Sequence, residues 1–132
     1  NVRNNCGFLN RCDTEHRDEA DKLFYQEGRR VFRDIVKLVP TIIEAQLGEL
    51  KLTASDVRRF WLHQANARLN AAIGERLVGL PTILETHANT AAAGAFVTFD
   101  KHRGDLRGGD YGVICAFGAG YTAGSLLLRK RS

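Results

Sequence analysis

Phe60-Trp61-Leu62-His63-Gln64-Ala65-Asn66 is the stretch that decides the fold of this chain. Three large apolar residues give way to a polar island, and a helix-like segment begins at Asn66. This order predicts a short buried strand that delivers His63 to its carboxyl end. The alternative to a catalytic role for His63 is a structural one, in which the buried histidine is simply hydrogen-bonded within the core.

A second polar island, His87-Ala88-Asn89-Thr90, opens into the small residues Ala91 to Ala95. We expect a helix there that is capped by Thr90 and packs closely on a neighbour. A neutral histidine and a carboxamide at the ends of apolar elements can aim two N–H donors at one oxygen. An enzyme needs such donors to hold negative charge on a thioester or enolate oxygen.

Composition indicates a folded domain with a mild excess of positive charge. The chain has 132 residues, of which 44% are apolar, and a net charge of +4. A core can therefore form, and disorder is not expected. The clustered basic residues favour an acidic partner, but no aromatic residues interleave with them as a nucleic-acid platform requires. The clusters are Arg29, Arg30 and Arg33; Arg58 and Arg59; and Arg129-Lys130-Arg131.

Cysteine usage and hydropathy predict a cytoplasmic protein that does not enter a membrane. Cys6, Cys12 and Cys115 form no CxxC pair, and no signal peptide is recognisable. No apolar run approaches the roughly 20 residues that span a bilayer.

The hydrophobic periodicity predicts alternating strands and helices, which is typical of an α/β architecture. Pro40 should kink or split the first helix, and Thr53 with Asp56 should form a capping box. The predicted strands are Leu23–Tyr25, Phe60–Leu62, Ile83–Leu84, Tyr111–Phe117 and Tyr121–Leu128; the predicted helices run from Gly28 to Gly48, from Asn66 to Val78, and from Thr90 through Phe99.

The glycines at 118, 120 and 124 have the spacing GxGxxxG and precede a strand-like segment, so they do not match a dinucleotide-binding loop. We expect a tight turn whose backbone N–H groups a ligand can approach closely. A plain hairpin turn is the alternative.

Three motifs in fixed order resemble the C-terminal half of a β-ketoacyl-acyl carrier protein synthase III, a condensing enzyme of the thiolase superfamily. They are His63-Gln64-Ala65-Asn66, Asn89-Thr90 before an alanine-rich helix, and Phe117-Gly118-Ala119-Gly120 before a terminal strand. The resemblance covers residues 21–132 and implies a thiolase-like layered α/β half-domain, with a mixed sheet flanked by helices. Residues 1–20 are expected to be a polar loop leading into it.

The resemblance implies a decarboxylative Claisen condensation, as in the initiation of fatty-acid synthesis. An acyl group passes from coenzyme A to a cysteine thiolate, malonyl-acyl carrier protein loses carbon dioxide, and the carbanion attacks the acyl-enzyme. His63 and Asn89 would stabilise the enolate, where preorganised donors act as charge develops. Phe117 would line the acyl tunnel, and the Gly118 region would add a backbone N–H to the oxyanion hole.

The same resemblance implies the partners. Arg33 and Arg68 match basic positions that meet the acidic acyl carrier protein, although ordinary solvated helix charges are an alternative. A coenzyme A thioester is expected as substrate, with no permanently bound cofactor and no metal, in a homodimer.

The chain departs from the family pattern at the nucleophile. Cys6 lies among asparagines and Cys115 within a strand, so we expect the reactive cysteine outside this chain. The link at Leu80-Pro81 is shorter than the family pattern, and Ala88 replaces a frequent glycine. Two alternatives stay open: a related acyltransferase of secondary metabolism with another acceptor, such as a quinolone-type or ester-forming synthase, and a non-catalytic subunit that binds carrier protein.

Overall fold

The computed structural model describes residues 27–77, 84–118 and 121–132. Predictions for residues 1–20, for Leu23–Tyr25, and for the link at Leu80-Pro81 lie outside this part of the chain. The described elements, in order, are α1 (Gly28–Glu49), a 3-10 turn (Ala54–Asp56), β1 (Val57–Leu62), α2 (Ala67–Gly74), the short α3 (Leu84–His87), α4 (Ala93–His102), a second 3-10 turn (Arg103–Asp105), β2 (Tyr111–Gly118) and β3 (Thr122–Arg129).

The described strands form one mixed sheet in the order β1-β2-β3. β1 runs parallel to β2, and β3 runs antiparallel to β2. Two parallel neighbours need a long crossover, which the segment containing α2 and α4 supplies. The predicted α/β class with a mixed sheet flanked by helices is therefore confirmed.

Helices cover both faces of the sheet, and the pleat of β1 shows how. Phe60 and Leu62 join the core that α1 and α2 build on one face, whereas Trp61 between them joins Ala95 of α4 on the other. Alternating side chains of a strand point to opposite faces. Because both faces are covered, Phe60, Trp61 and Leu62 are all buried, which explains why the sequence shows a continuous apolar run there.

The long helix α1 packs a single apolar stripe against the sheet. The helix is continuous through Pro40, so the predicted split does not occur. Proline removes one main-chain hydrogen bond there, and the hydroxyl of Thr41 donates to the carbonyl of Lys37 at 2.9 Å one residue later. The buried stripe consists of Val31, Ile35, Val39, Ile43 and Leu47.

Two local predictions are wrong. Leu84 belongs to the helical turn α3 and not to a strand, and Ile83, its predicted strand partner in the sequence, lies outside the described residues. Thr90 does not cap α4, which begins at Ala93 without a side-chain cap. Ala91 has a φ of +54°, outside the right-handed helical region, so the helix cannot start before it.

The predicted capping box of Thr53 and Asp56 is confirmed, and a further cap lies at Asn66, where a helix was predicted to begin. Asn66 is the N-cap of α2, where its Oδ1 accepts the N–H of Leu69 at 2.9 Å. The Asp56 carboxylate accepts the N–H of Thr53 at 2.7 Å, as the capping box requires. The cap at Asn66 begins α2 directly after the polar island, and this positions His63 between a strand end and a helix start.

Candidate active site

A cavity of about 460 Å³ opens at the carboxyl end of β1. In open α/β sheets, ligands bind beyond the carboxyl ends of the strands. Both polar residues singled out in the sequence line this one cavity, and α1, α2 and the β2–β3 connection supply its other walls. The lining comprises Gly28, Val31, Phe32, Ile35, His63, Ala65, Asn66, Leu69, Asn89, Ala91, Ala92, Phe117, Gly118 and Tyr121.

His63 is held at the end of β1 by its backbone and by an aromatic neighbour. Its N–H donates to the carbonyl of Cys115 at 2.8 Å and so extends the β1–β2 ladder by one residue. The imidazole lies 4.5 Å from the ring of Phe117, centroid to centroid, at an interplanar angle of 35°. Only 7% of His63 is exposed, and this burial lowers the pKa of its ring. The neutral imidazole is therefore favoured.

The tautomer of the neutral His63 ring follows from which of its two nitrogens is buried without a hydrogen-bond partner. Nδ1 is buried and has no hydrogen-bond partner among the described residues. An orphaned buried N–H is rarer in proteins than an orphaned acceptor. The neutral ring therefore places its lone pair at Nδ1 and its proton at Nε2, which is the arrangement required of a hydrogen-bond donor in the cavity.

Asn89 presents the donor end of its carboxamide. The N–H of Ala91 donates to Oδ1 of Asn89 at 2.9 Å. A backbone N–H can only donate, so the atom that it meets is the oxygen and the NH₂ group is left for a ligand. Ala88, immediately before, has a φ of +52°, a conformation that favours glycine.

The predicted lining residues of β2 border the cavity, and two further aromatic residues join them. Phe117 is buried against His63, and Gly118 ends β2 at the cavity wall. Sequence reasoning missed Phe32 and Tyr121. Phe32 lies beside the apolar stripe of α1, and Tyr121 follows Gly120 in the sequence; the turn predicted at Ala119-Gly120 lies outside the described residues. An aromatic residue off a buried stripe, or at a turn next to a functional motif, is the signal that could have identified both.

Arg33 and Arg68 are exposed on the two helices that border the cavity. Arg33 follows Phe32 on α1 and makes an ion pair with Asp34 at 3.4 Å. Arg68 lies in the first turn of α2, between Asn66 and Leu69. Neither arginine lines the cavity itself. Among the described residues, both arginines are therefore exposed close to residues that line the cavity.

Cys115 is not a candidate nucleophile. Its thiol is buried in β2, where burial raises its pKa to about 11. A thiol with that pKa carries almost no thiolate at neutral pH, and only the thiolate is nucleophilic. Cys6 and Cys12 lie outside the described residues.

Comparison with known proteins shows where this architecture recurs. The family profile described as the C-terminal region of 3-oxoacyl-[acyl-carrier-protein] synthase III matches residues 47–130. The β-ketodecanoyl-[acyl-carrier-protein] synthase of Pseudomonas aeruginosa PAO1 is 45% identical over 98% of this chain and 39% of its own length.

Two solved structures show the same fold. The 3-oxoacyl-(acyl carrier protein) synthase III of Pseudomonas aeruginosa PAO1 superposes with a TM-score of 0.74 at 30% identity, over 83% of this chain and 36% of its own. The priming β-ketosynthase of the R1128 polyketide biosynthetic pathway superposes with a TM-score of 0.74 at 29% identity, over 82% and 34%.

The fold and the motifs define the class of thiolase-like condensing enzymes. Within that class, the chain belongs to the 3-oxoacyl-[acyl-carrier-protein] synthase III family and carries its C-terminal region. The chain spans 39% of the length of the β-ketodecanoyl relative. Among the described residues, no helix is both long and apolar enough to cross a bilayer.

Proposed function

We propose that this chain supplies the malonyl-binding half of the active site of a β-ketoacyl-acyl carrier protein synthase. The observation that carries the proposal is that His63 and Asn89, 26 positions apart in the sequence, line one cavity, while Nδ1 of His63 is buried and Oδ1 of Asn89 accepts the N–H of Ala91. The reaction is the decarboxylative condensation of an enzyme-bound acyl group with malonyl-acyl carrier protein.

The two donors act on the malonyl thioester oxygen. When the bond to the carboxylate breaks, its electron pair moves into the enolate and carbon dioxide leaves. Negative charge then builds on the thioester oxygen, which receives hydrogen bonds from Nε2–H of His63 and Nδ2–H of Asn89. The carbanion attacks the acyl thioester, a carbon–carbon bond forms, and the cysteine thiolate is released. Burial beside Phe117 strengthens the interaction, because donors fixed in a low-dielectric site stabilise developing charge.

The acyl group requires a thiolate that the described residues do not supply, since the Cys115 thiol is sealed in the sheet. We propose that a cysteine elsewhere in the full-length protein carries it. Phe117 then forms part of the acyl tunnel, and the backbone at Gly118 contributes to the oxyanion hole of acyl transfer. The relative that shares 45% of the residues is named for a β-ketodecanoyl group, so octanoyl-CoA is the first acyl donor to test.

Acyl carrier protein, acyl-CoA and a second copy of the protein are the proposed partners, and the cytoplasm is the proposed location. Arg33 and Arg68 are the proposed contacts for the acidic carrier protein, and their exposure next to lining residues supports this role. No permanently bound cofactor is needed, since the chemistry uses a thiolate and hydrogen-bond donors alone.

The test separates the two half-reactions in the full-length protein. His63→Ala and Asn89→Asp should each lower malonyl decarboxylation by roughly a hundredfold to a thousandfold, the usual cost of one such donor. Asn89→Asp keeps the acceptor for the N–H of Ala91 and replaces the NH₂ donor with a carboxylate oxygen, whose negative charge also opposes the charge that develops on the thioester oxygen. Acylation of the cysteine by octanoyl-CoA, followed by mass spectrometry, should persist in both variants.

His102→Ala is the matched control, because His102 lies at the far end of α4 and does not line the cavity. Decarboxylation at the wild-type rate in both cavity variants would refute the assignment. A priming role in secondary metabolism is the second candidate, favoured by the likeness to the polyketide priming synthase. Product analysis with different acceptors separates the two.

A further inference from the structure

Gly94 lies at the point where the two catalytic segments come together. It is a buried residue in the first turn of α4. A β-carbon at this position would lie 3.1 Å from Cβ of Gln64 and 3.1 Å from Oγ1 of Thr90. Gln64 directly follows His63 in the chain, and Thr90 directly follows Asn89. One methyl group added at Gly94 would therefore press on the neighbours of both catalytic residues.

We propose that Gly94 is a positioning residue that sets the separation between His63 and Asn89. Glycine weakens a helix relative to alanine, so its presence in α4 calls for a steric reason. The described contacts provide one, since a β-carbon would lie 3.1 Å from Cβ of Gln64, closer than an ordinary contact, and either Gln64 or α4 would have to move by a few tenths of an ångström. This inference rests on the proposed function, because it concerns the geometry of the two proposed donors.

The strain of an added methyl would fall mainly on the His63 segment. Gln64 is fully buried, and its Nε2 donates to the carbonyl of Leu62 at 2.8 Å. Its Cβ cannot rotate away, because Cβ moves only with the backbone. Thr90 is exposed, and rotation of its side chain can withdraw Oγ1.

The helix on the other side of the contact is also fixed. The hydroxyl of Thr98, itself fully buried, donates to the carbonyl of Gly94 at 2.6 Å. The next residue, Ala95, is fully buried in the cluster with Trp61. Helix and strand end are thus both anchored, and a shift of a few tenths of an ångström passes to His63 and changes its distance from Asn89.

The experiment is the substitution Gly94→Ala in the full-length protein. We expect kcat for malonyl decarboxylation to fall about tenfold or more, because small misplacements of catalytic groups are costly. The KM for the malonyl thioester and the rate of cysteine acylation should change less than about twofold, since neither depends on the convergence of the two donors.

Gly48→Ala is the matched control. It adds the same methyl group to a helix, at a position where nothing lies within 4 Å, and should leave both half-reactions unchanged. In the double variant Thr90→Ala/Gly94→Ala the contact with Oγ1 is removed and the contact with Cβ of Gln64 stays, so the loss of decarboxylation should persist; its full return would place the strain on the Asn89 segment and contradict the inference. If the single variant does not fold, the decarboxylation rate of the double variant is compared with that of wild type instead.

Wild-type decarboxylation in the folded Gly94→Ala variant would overturn the inference. A proportional loss of decarboxylation and acylation would also overturn it, because it would indicate a structural role alone. A wild-type protein that does not decarboxylate malonyl thioesters contradicts the proposed function instead, so the two failures are distinguishable.

Discussion

The burial of His63 sets the chemistry that this residue can perform. Its ring packs against the ring of Phe117. Nδ1 is buried and has no hydrogen-bond partner among the described residues. A charged imidazolium is poorly solvated in such a place. The ring therefore stays neutral and offers one fixed donor to the cavity, so the residue is suited to stabilise negative charge and not to exchange protons repeatedly.

We expect a direct titration to show this at the residue scale. In the full-length protein, the NMR signals of the His63 ring should titrate below the ordinary pKa of 6.5, because burial lowers its pKa. The signals are assigned by their loss in His63→Ala.

The sign of the linked stability change follows from that shift. Below about 6.5 the unfolded chain takes up a proton that the folded ring resists, so the folded state loses stability as pH falls through the lowered pKa. The thermal midpoint of wild type should therefore fall more steeply with acidification than that of His63→Gln. Titration of the ring at or above 6.5 would contradict this account.

At the scale of elements, the packing of β1 on β2 depends on one missing side chain. Gly112 of β2 lies under the indole of Trp61, and a β-carbon there would come within 2.6 Å of Cη2 of Trp61. Trp61 is fully buried and meets Phe99 of α4 edge to face, with ring centroids 5.0 Å apart. The indole has no space to withdraw into, so a larger residue at Gly112 must separate α4 from the sheet.

Gly112→Ala should therefore lower the free energy of unfolding by about 1–3 kcal/mol, the usual cost of overpacking. Gly124→Ala is the matched control in β3, where an added β-carbon meets nothing within 4 Å. Chemical denaturation of both variants measures the difference. Equal stability of the two variants would show that the indole can move after all.

Periodicity in the sequence was sufficient for the long elements but not for the short ones. The stripe from Val31 to Leu47 identified α1, and the apolar runs identified β1 and β2. The prediction failed at Leu84 and at Thr90, because a two-residue apolar pair carries no period and a positive φ at Ala91 leaves no trace in composition. At these positions hydrogen bonds such as that of Asn89 decide the local conformation.

At the scale of the whole molecule, the site could be predicted only in part. The ordered motifs identified His63, Asn89, Phe117 and Gly118, which line one cavity in the structure. Other parts of the wall come from α1 and from Tyr121, and only the tertiary arrangement brings these to the motifs. The chain also spans 39% of the length of the β-ketodecanoyl relative.

The exposed arginines should govern encounter with the carrier protein. In the full-length enzyme, Arg68→Glu should raise the KM for malonyl-acyl carrier protein about fivefold or more and leave kcat nearly unchanged, because a charge at the rim acts on association. The increase should shrink at high salt.

Arg103→Glu is the matched control. Arg103 lies after α4 and lines a different groove. An equal KM for Arg68→Glu and wild type at low salt would remove Arg68 from the docking surface.

The close fit of Trp61 between the sheet and α4 has a practical consequence. It is the single tryptophan of this sequence, and its Nε1 is buried without a partner among the described residues. An indole in so dry a setting fluoresces at short wavelength and shifts to the red when water reaches it. The emission wavelength of Trp61 therefore reports on the packing between the sheet and α4, the helix that contains Gly94. Separation of the two can be followed over time without an added label.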